Sequence, residues 1–158
     1  MGERIYTYNR YLRDIFGERV QKISLNAGFP CPNTNGDIDK AGCIYCNNAG
    51  FVRYHTVVVP LRQQIEESIE FYGRRSGTQK FIAYFQAFTN TAADCDALKK
   101  AYDTIYHFPQ IVGLSIATRP DCVDDTKLKL IAEYQKHYLV WVEYGLPTTD
   151  DMLLQRLN

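Results

Sequence analysis

Cys31, Cys43 and Cys46 stand in a C-x11-C-x2-C pattern. Thiolates are soft ligands suited to zinc or to iron–sulfur clusters. Between them lie Pro32, Asn33, Asn35, Gly36, Asp37 and Gly42, turn formers that let a loop wrap a ligand without becoming helix or strand. Three thiolates on a four-iron cube leave one iron without a protein ligand, open to bind and activate another molecule, whereas an electron-carrying cluster normally takes a fourth cysteine. The same C-x2-C pair is also a zinc half-site, and His55 could supply a fourth ligand to a non-enzymatic zinc-binding domain. Spacing alone leaves both chemistries open.

Other residues could work beside such a centre. Glu143 sits inside the apolar run YLVWVEY, where a carboxylate is costly to bury without a partner. Arg119 follows an apolar strand and precedes Pro120, so its planar fork projects from a stiff turn; it can hold a carboxylate or phosphate, or pair with Asp121 or Glu143. Gln86, Thr89, Asn90 and Thr91 bring side-chain carbonyl and hydroxyl oxygens together in one short segment. Cys95 and Cys122 have no ligand spacing and read as buried thiols, and His107 and His137 read as structural.

With Tyr45 directly before the last cysteine, the loop resembles that of the radical S-adenosylmethionine (SAM) superfamily. Four blocks in order, CPNTNGDIDKAGCIYCNN from Cys31, AYFQAFTNT from Ala83, GLSIATRPDC from Gly113 and VEYGL from Val142, resemble the YhcC-like radical SAM proteins, relatives of the Elongator catalytic subunit. The resemblance implies a [4Fe-4S] cluster on Cys31, Cys43 and Cys46 and SAM on its open iron, cleaved on reduction to a 5′-deoxyadenosyl radical. It places Tyr45 near the adenine, Glu143 on the ribose hydroxyls, Arg119 on SAM or substrate, and at least one of Gln86, Thr89, Asn90 and Thr91 on the methionine amino group. It also implies an external electron donor and makes RNA a candidate substrate. Two departures stand out: Pro147 and Thr148 replace the Gln and Ser or Thr usual after Gly-Leu, and the chain ends at Arg156-Leu157-Asn158, where relatives continue into the last two barrel strands.

The elements that must position these residues follow from periodicity. Residues 1–20 read as an irregular amino-terminal arm with one helical turn, packed against a barrel end; residues 21–158 read as an incomplete barrel. Strands are expected at 21–26, 80–86, 111–117 and 138–144. Helices follow them: one after Pro60 with Leu61, Ile65, Ile69 and Tyr72 inward, and one opened by Asp94 with Leu98, Ala101, Tyr102, Ile105 and Phe108 inward. A third is capped by Asp124 or Asp125 and carries Leu128, Ile131 and Tyr134, and a fourth starts near Thr149 or Asp150 with Met152, Leu153, Leu154 and Leu157. This α/β order implies a parallel sheet with right-handed crossovers, and the resemblance specifies a partial (β/α) barrel with about four of six units present. The almost unbroken apolar run at 138–144 predicts a strand covered on both faces. Its free edge is expected to recruit a second copy or another chain.

Composition sets outer bounds. A chain of 158 residues, 46% hydrophobic and 23% charged, fits one domain with a proper core. Eighteen basic and eighteen acidic residues cancel, so net charge supplies no pull towards nucleic acid or an anionic membrane. No apolar run reaches the roughly 18 residues of a membrane span, and MGERIYTYNR lacks the apolar core of a secretion signal. These features predict a cytoplasmic protein, in which five cysteines serve as ligands and thiols rather than disulfides.

Overall fold

Tyr8, Tyr11, Leu12 and Phe16 fall three or four residues apart, with Thr7 ahead and Gly17 behind. In the computed structural model, which describes residues 4–34, 42–47 and 59–157, this stretch forms helix α1 (Tyr8–Phe16). The Arg10 N–H donates to Thr7 Oγ1 at 3.3 Å, and Gly17 closes the helix in the left-handed region at φ 75°. The helix corrects the expected irregular arm. Both caps were present in the sequence, and the aromatic side chains carry an apolar stripe of helical spacing.

The remaining elements alternate: β1 (Val20–Leu25), α2 (Leu61–Ser76), β2 (Lys80–Phe85), α3 (Cys95–Tyr102), β3 (Ile111–Thr118), α4 (Asp125–Glu133), β4 (Leu139–Tyr144) and α5 (Asp151–Leu157). Asp94 caps α3 by accepting from the Ala97 N–H at 2.8 Å. Asp124 caps α4 by accepting from the Lys127 N–H at 2.9 Å. The four strands form one parallel sheet in the order β1-β2-β3-β4, as the βα alternation requires. The register slips between Phe81 and Ile82, which face Ile111 and Gly113. Gly113 is required there, since a Cβ would lie 2.9 Å from Ile82 Cγ1 and 3.1 Å from the Leu139 carbonyl oxygen.

The two faces of the sheet have different tasks. Ile23, Leu25, Phe81, Ala83, Phe85, Leu114 and Ile116 pack against Ile65 of α2, Leu98 and Tyr102 of α3, and Ile131 of α4. Each of the Ile, Leu and Phe side chains contributes about 1.5–3 kcal/mol by leaving water. On the opposite face Val20, Ile82 and Leu12 cluster with Leu139 and Trp141, and the rings of Tyr8 and Tyr11 lie 6.0 and 6.3 Å from that of Trp141. Helix α1 therefore covers this second face at the amino-terminal ends of the strands. The carboxyl-terminal ends are left to the loops.

One burial expectation needs correction, and some apolar residues of the helices face outward. Strand β4 is covered less completely than expected: Val140 and Val142 turn towards the main core and Leu139 and Trp141 towards α1, but Leu139 to Glu143 are each partly exposed and Tyr144 is exposed, because β4 is an outer strand. Leu128 is exposed, since α4 turns Ile131 inward instead. Met152, Leu153 and Leu154 on α5 are also exposed among the described residues. No helix of the described residues is long and apolar enough to cross a membrane.

Candidate functional site

The cysteine loop leaves the carboxyl end of β1. Cys31 is followed by a single 3-10 turn, Pro32–Thr34, in which the Cys31 carbonyl accepts from the Thr34 N–H at 3.0 Å and from Thr34 Oγ1 at 2.9 Å. Thr34 is buried, and a Cβ on Gly42 would meet its methyl at 3.2 Å, so the two ends of the loop pack closely. A tight turn from the Cys46 N–H to the Cys43 carbonyl, 2.8 Å, presents the second pair of thiols. Asn33 Nδ2 donates to Cys43 Sγ at 2.9 Å. The Ile44 N–H donates to the Leu157 carbonyl at 3.0 Å, which docks the end of α5 on the loop.

All three cysteines line one cleft of about 640 Å³, together with Tyr45, Phe88, Thr89, Arg119, Glu143, Leu146 and Leu154. Among the described residues, no group of three or more His, Cys, Asp or Glu side chains is gathered as a metal site. The cysteines thus share a cleft without being drawn together. His55 lies outside the described residues. Tyr45 is largely exposed, and partial burial, then its contact with Cys43, raises its pKa.

The segment after β2 divides. Thr89 lines the cleft, and Phe88 before it takes φ 61°, a left-handed conformation that a bulky residue adopts only under strain. Gln86 is not among the lining residues, and its Oε1 accepts from Ser24 Oγ at 3.0 Å. Thr91 is buried; it donates to the Cys122 carbonyl at 2.8 Å and shares a 2.6 Å hydrogen bond with Thr118. Asn90 is also buried. Its Nδ2 donates to the carbonyls of Phe85 and Ala117, both at 3.0 Å, while its Oδ1 is a buried acceptor with no hydrogen-bond partner among the described residues. Asn90 and Thr91 thus pin the loop to β3.

Arg119, expected to project freely or to pair with Asp121 or Glu143, is engaged by Asp121. Its Nε and a terminal nitrogen reach the two carboxylate oxygens at 2.9 and 2.7 Å. The hydrogen bonds to Asp121 raise the Arg119 pKa and hold the Asp121 carboxyl below its ordinary value. Cys122, read as a buried thiol, is only partly buried, as is Cys95.

Glu143 finds its partner elsewhere. Lys22 Nζ lies 2.5 Å from Glu143 Oε1, and Ser115 Oγ donates to the same oxygen at 2.6 Å. The Lys22 ammonium also sits over the Tyr84 ring, 3.7 Å from its centroid. Burial alone would raise the Glu143 pKa, but the bonds from Lys22 and Ser115 outweigh it and bring the carboxyl below its ordinary value. Burial first, then the Glu143 charge, raises the Tyr84 pKa and pushes that of Tyr8 up to about 12. Sequence reading missed Lys22, Tyr84 and Ser115. The available signal was strand alternation, which puts Lys22 on the face opposite Ile23 and Leu25.

No protein-family model matches the chain. It is 38% identical to protein YhcC of Escherichia coli (strain K12) over 144 residues, 90% of this chain and 46% of that protein. It is 33% identical over 168 residues to the uncharacterized protein YtqA of Bacillus subtilis (strain 168), covering 99% of this chain and 49% of that one. It is 34% identical over 155 residues to the uncharacterized protein MJ0486 of Methanocaldococcus jannaschii, covering 96% and 47%. The chain therefore spans about half the length of the curated relatives it is similar to.

Proposed function

We propose that this chain is the cofactor-binding part of a radical SAM enzyme, in which Cys31, Cys43 and Cys46 hold a [4Fe-4S] cluster and SAM occupies the adjoining cleft. One observation carries the reading. The cleft is lined by all three cysteines and by Thr89, Arg119 and Glu143, which come from the carboxyl ends of β2, β3 and β4, the end at which barrels of this type build their sites. A partial barrel is supported by the contact of Lys22 on β1 with Glu143 on β4. Three strand spacings in a flat sheet amount to about 14 Å, about the full joint reach of the two side chains, so a sheet curved towards that face favours the contact.

The residues present suit both groups. Three thiols lining one cleft match the three-ligand pattern of a cluster with an open iron. Thr89, which lines the cleft, offers a hydroxyl oxygen suited to accept from an ammonium such as the methionine amino group. When bound, the cluster would supply the electron that cleaves the C5′–S bond of SAM, leaving methionine and a 5′-deoxyadenosyl radical, chemistry that belongs to the cofactor. Tyr45 offers a face for the adenine, Glu143 accepts from the ribose hydroxyls, and Leu146, Pro147 and Leu154 provide apolar walls that keep water from the reacting centre. An external electron donor and a cytoplasmic setting belong to the same reading. RNA is a candidate substrate in the same reading.

Metal analysis of the chain reconstituted without oxygen tests the cluster. About four iron and four sulfide per chain are expected, falling to background when Cys31, Cys43 and Cys46 are all replaced by Ala. One tightly held zinc, lost on His55→Ala, would overturn the reading in favour of a zinc-binding domain.

A further inference from the structure

We propose that Lys22 is the positioning residue of Glu143, holding its carboxylate in the one rotation that meets both hydroxyls of a nucleoside ribose; this rests on the reading of Glu143 as the diol-binding group. Lys22 and Ser115 both bond to the same oxygen, Oε1, which fixes how the carboxylate turns. Glu143 lines the cleft, whereas Lys22, Ser115 and Tyr84 are not among its lining residues. They stand behind the carboxylate and touch it, not the ligand.

Each brace comes from a different strand: Lys22 from β1, Tyr84 from β2 and Ser115 from β3. Glu143 itself is the penultimate residue of an outer strand, with its side chain 41% exposed, and without braces it would sample several rotamers. Lys22 is the only cation of the set and is itself held, over the Tyr84 ring and near that of Tyr8 at 5.9 Å. A long side chain clamped between two rings and a carboxylate has lost its freedom in advance, which is what preorganises a binding group.

The test measures binding of adenosine and of 2′,3′-dideoxyadenosine by calorimetry or ligand-observed NMR, neither of which needs cluster or turnover. Hydrogen bonds to a charged acceptor predict that the unmodified chain prefers adenosine by about tenfold or more. Lys22→Met should reduce that preference to about twofold without altering dideoxyadenosine affinity, and Lys22→Arg, which keeps charge and reach, should restore most of it. Ser115→Ala removes the other bond to Oε1 and should lower the preference by a smaller factor, which keeps the test alive if Lys22→Met does not fold. A Lys22→Met chain that keeps the full preference, or loses affinity for both ligands equally, overturns the positioning role while leaving Glu143 as the diol group. An unmodified chain with no preference, or that binds neither nucleoside, overturns the reading of Glu143 and the positioning role together.

Discussion

Lys22 on β1 and Glu143 on β4 are 121 residues apart in the chain and meet at 2.5 Å across the face of the sheet opposite its main helices. Their strands are the two outer ones, with β2 and β3 between them. The pair ties the strand that feeds the cysteine loop to the strand that ends the sheet, and it sits between the aromatic cover of α1 below and the cleft above.

That pair makes stability and titration respond to pH in a defined direction. The Glu143 pKa is lowered, so its contribution is fully present above the ordinary glutamate value of about 4.3 and is lost as pH falls through the lower folded value. The contribution is small and salt-sensitive, because the pair is partly exposed. Carboxyl-carbon NMR should show Glu143 titrating below the ordinary value and moving up in Lys22→Met. Tyr8, pushed up to about 12 by burial and then by the Glu143 charge, should titrate at lower pH in Glu143→Gln, read by phenolate absorbance.

Leu12 anchors α1 to the sheet and is 1% exposed. Leu12→Ala should cost about 2–5 kcal/mol, the range for a truncated core leucine, measured by urea unfolding. A loss under about 0.5 kcal/mol would mean that α1 is an appendage to the sheet and not its cover.

Tyr102 is fully buried, and its hydroxyl donates to the Asn90 carbonyl. Tyr102→Phe leaves that buried acceptor short of a donor and should cost about 1–3 kcal/mol. Because Asn90 follows the strained Phe88 and the cleft residue Thr89, the same variant should weaken SAM binding. Unchanged SAM affinity would detach this segment from the site.

The outer side of β4 has no strand partner among the described residues, and unpaired strand edges recruit other strands. The 158-residue polypeptide should therefore self-associate in a concentration-dependent way. Light scattering coupled to size exclusion reads this directly; a monomer across the accessible concentration range would count against an open β4 edge.

Strand order and parallel pairing were legible because apolar runs of strand length alternate with Asp-capped helical stripes, and each signal is local. The cysteine loop was legible for the same reason, its turn formers and thiols being contiguous. Lys22 was not, because a lone lysine in QKISL looks like an ordinary solvated strand residue until the partner far along the chain is brought to it. Gln86, Thr89, Asn90 and Thr91 looked equivalent, since polar side chains suit a ligand or a neighbouring carbonyl equally well; only Thr89 proved to line the cleft. Strand β4 looked more deeply buried than it is because residue type does not reveal how much an outer strand gains from cover on its faces. Helix α1 was missed because tyrosines and arginines blurred a stripe that Thr7 and Gly17 bracket.

The most direct measurement is electron paramagnetic resonance of the anaerobically reconstituted, dithionite-reduced chain, recorded with and without SAM. A reduced four-iron signal whose line shape changes on adding SAM, and which is absent when Cys31, Cys43 or Cys46 is replaced by Ala, is the expected result. A chain that forms no such cluster, or whose signal is indifferent to SAM, would contradict the assignment of the cleft to a radical SAM centre.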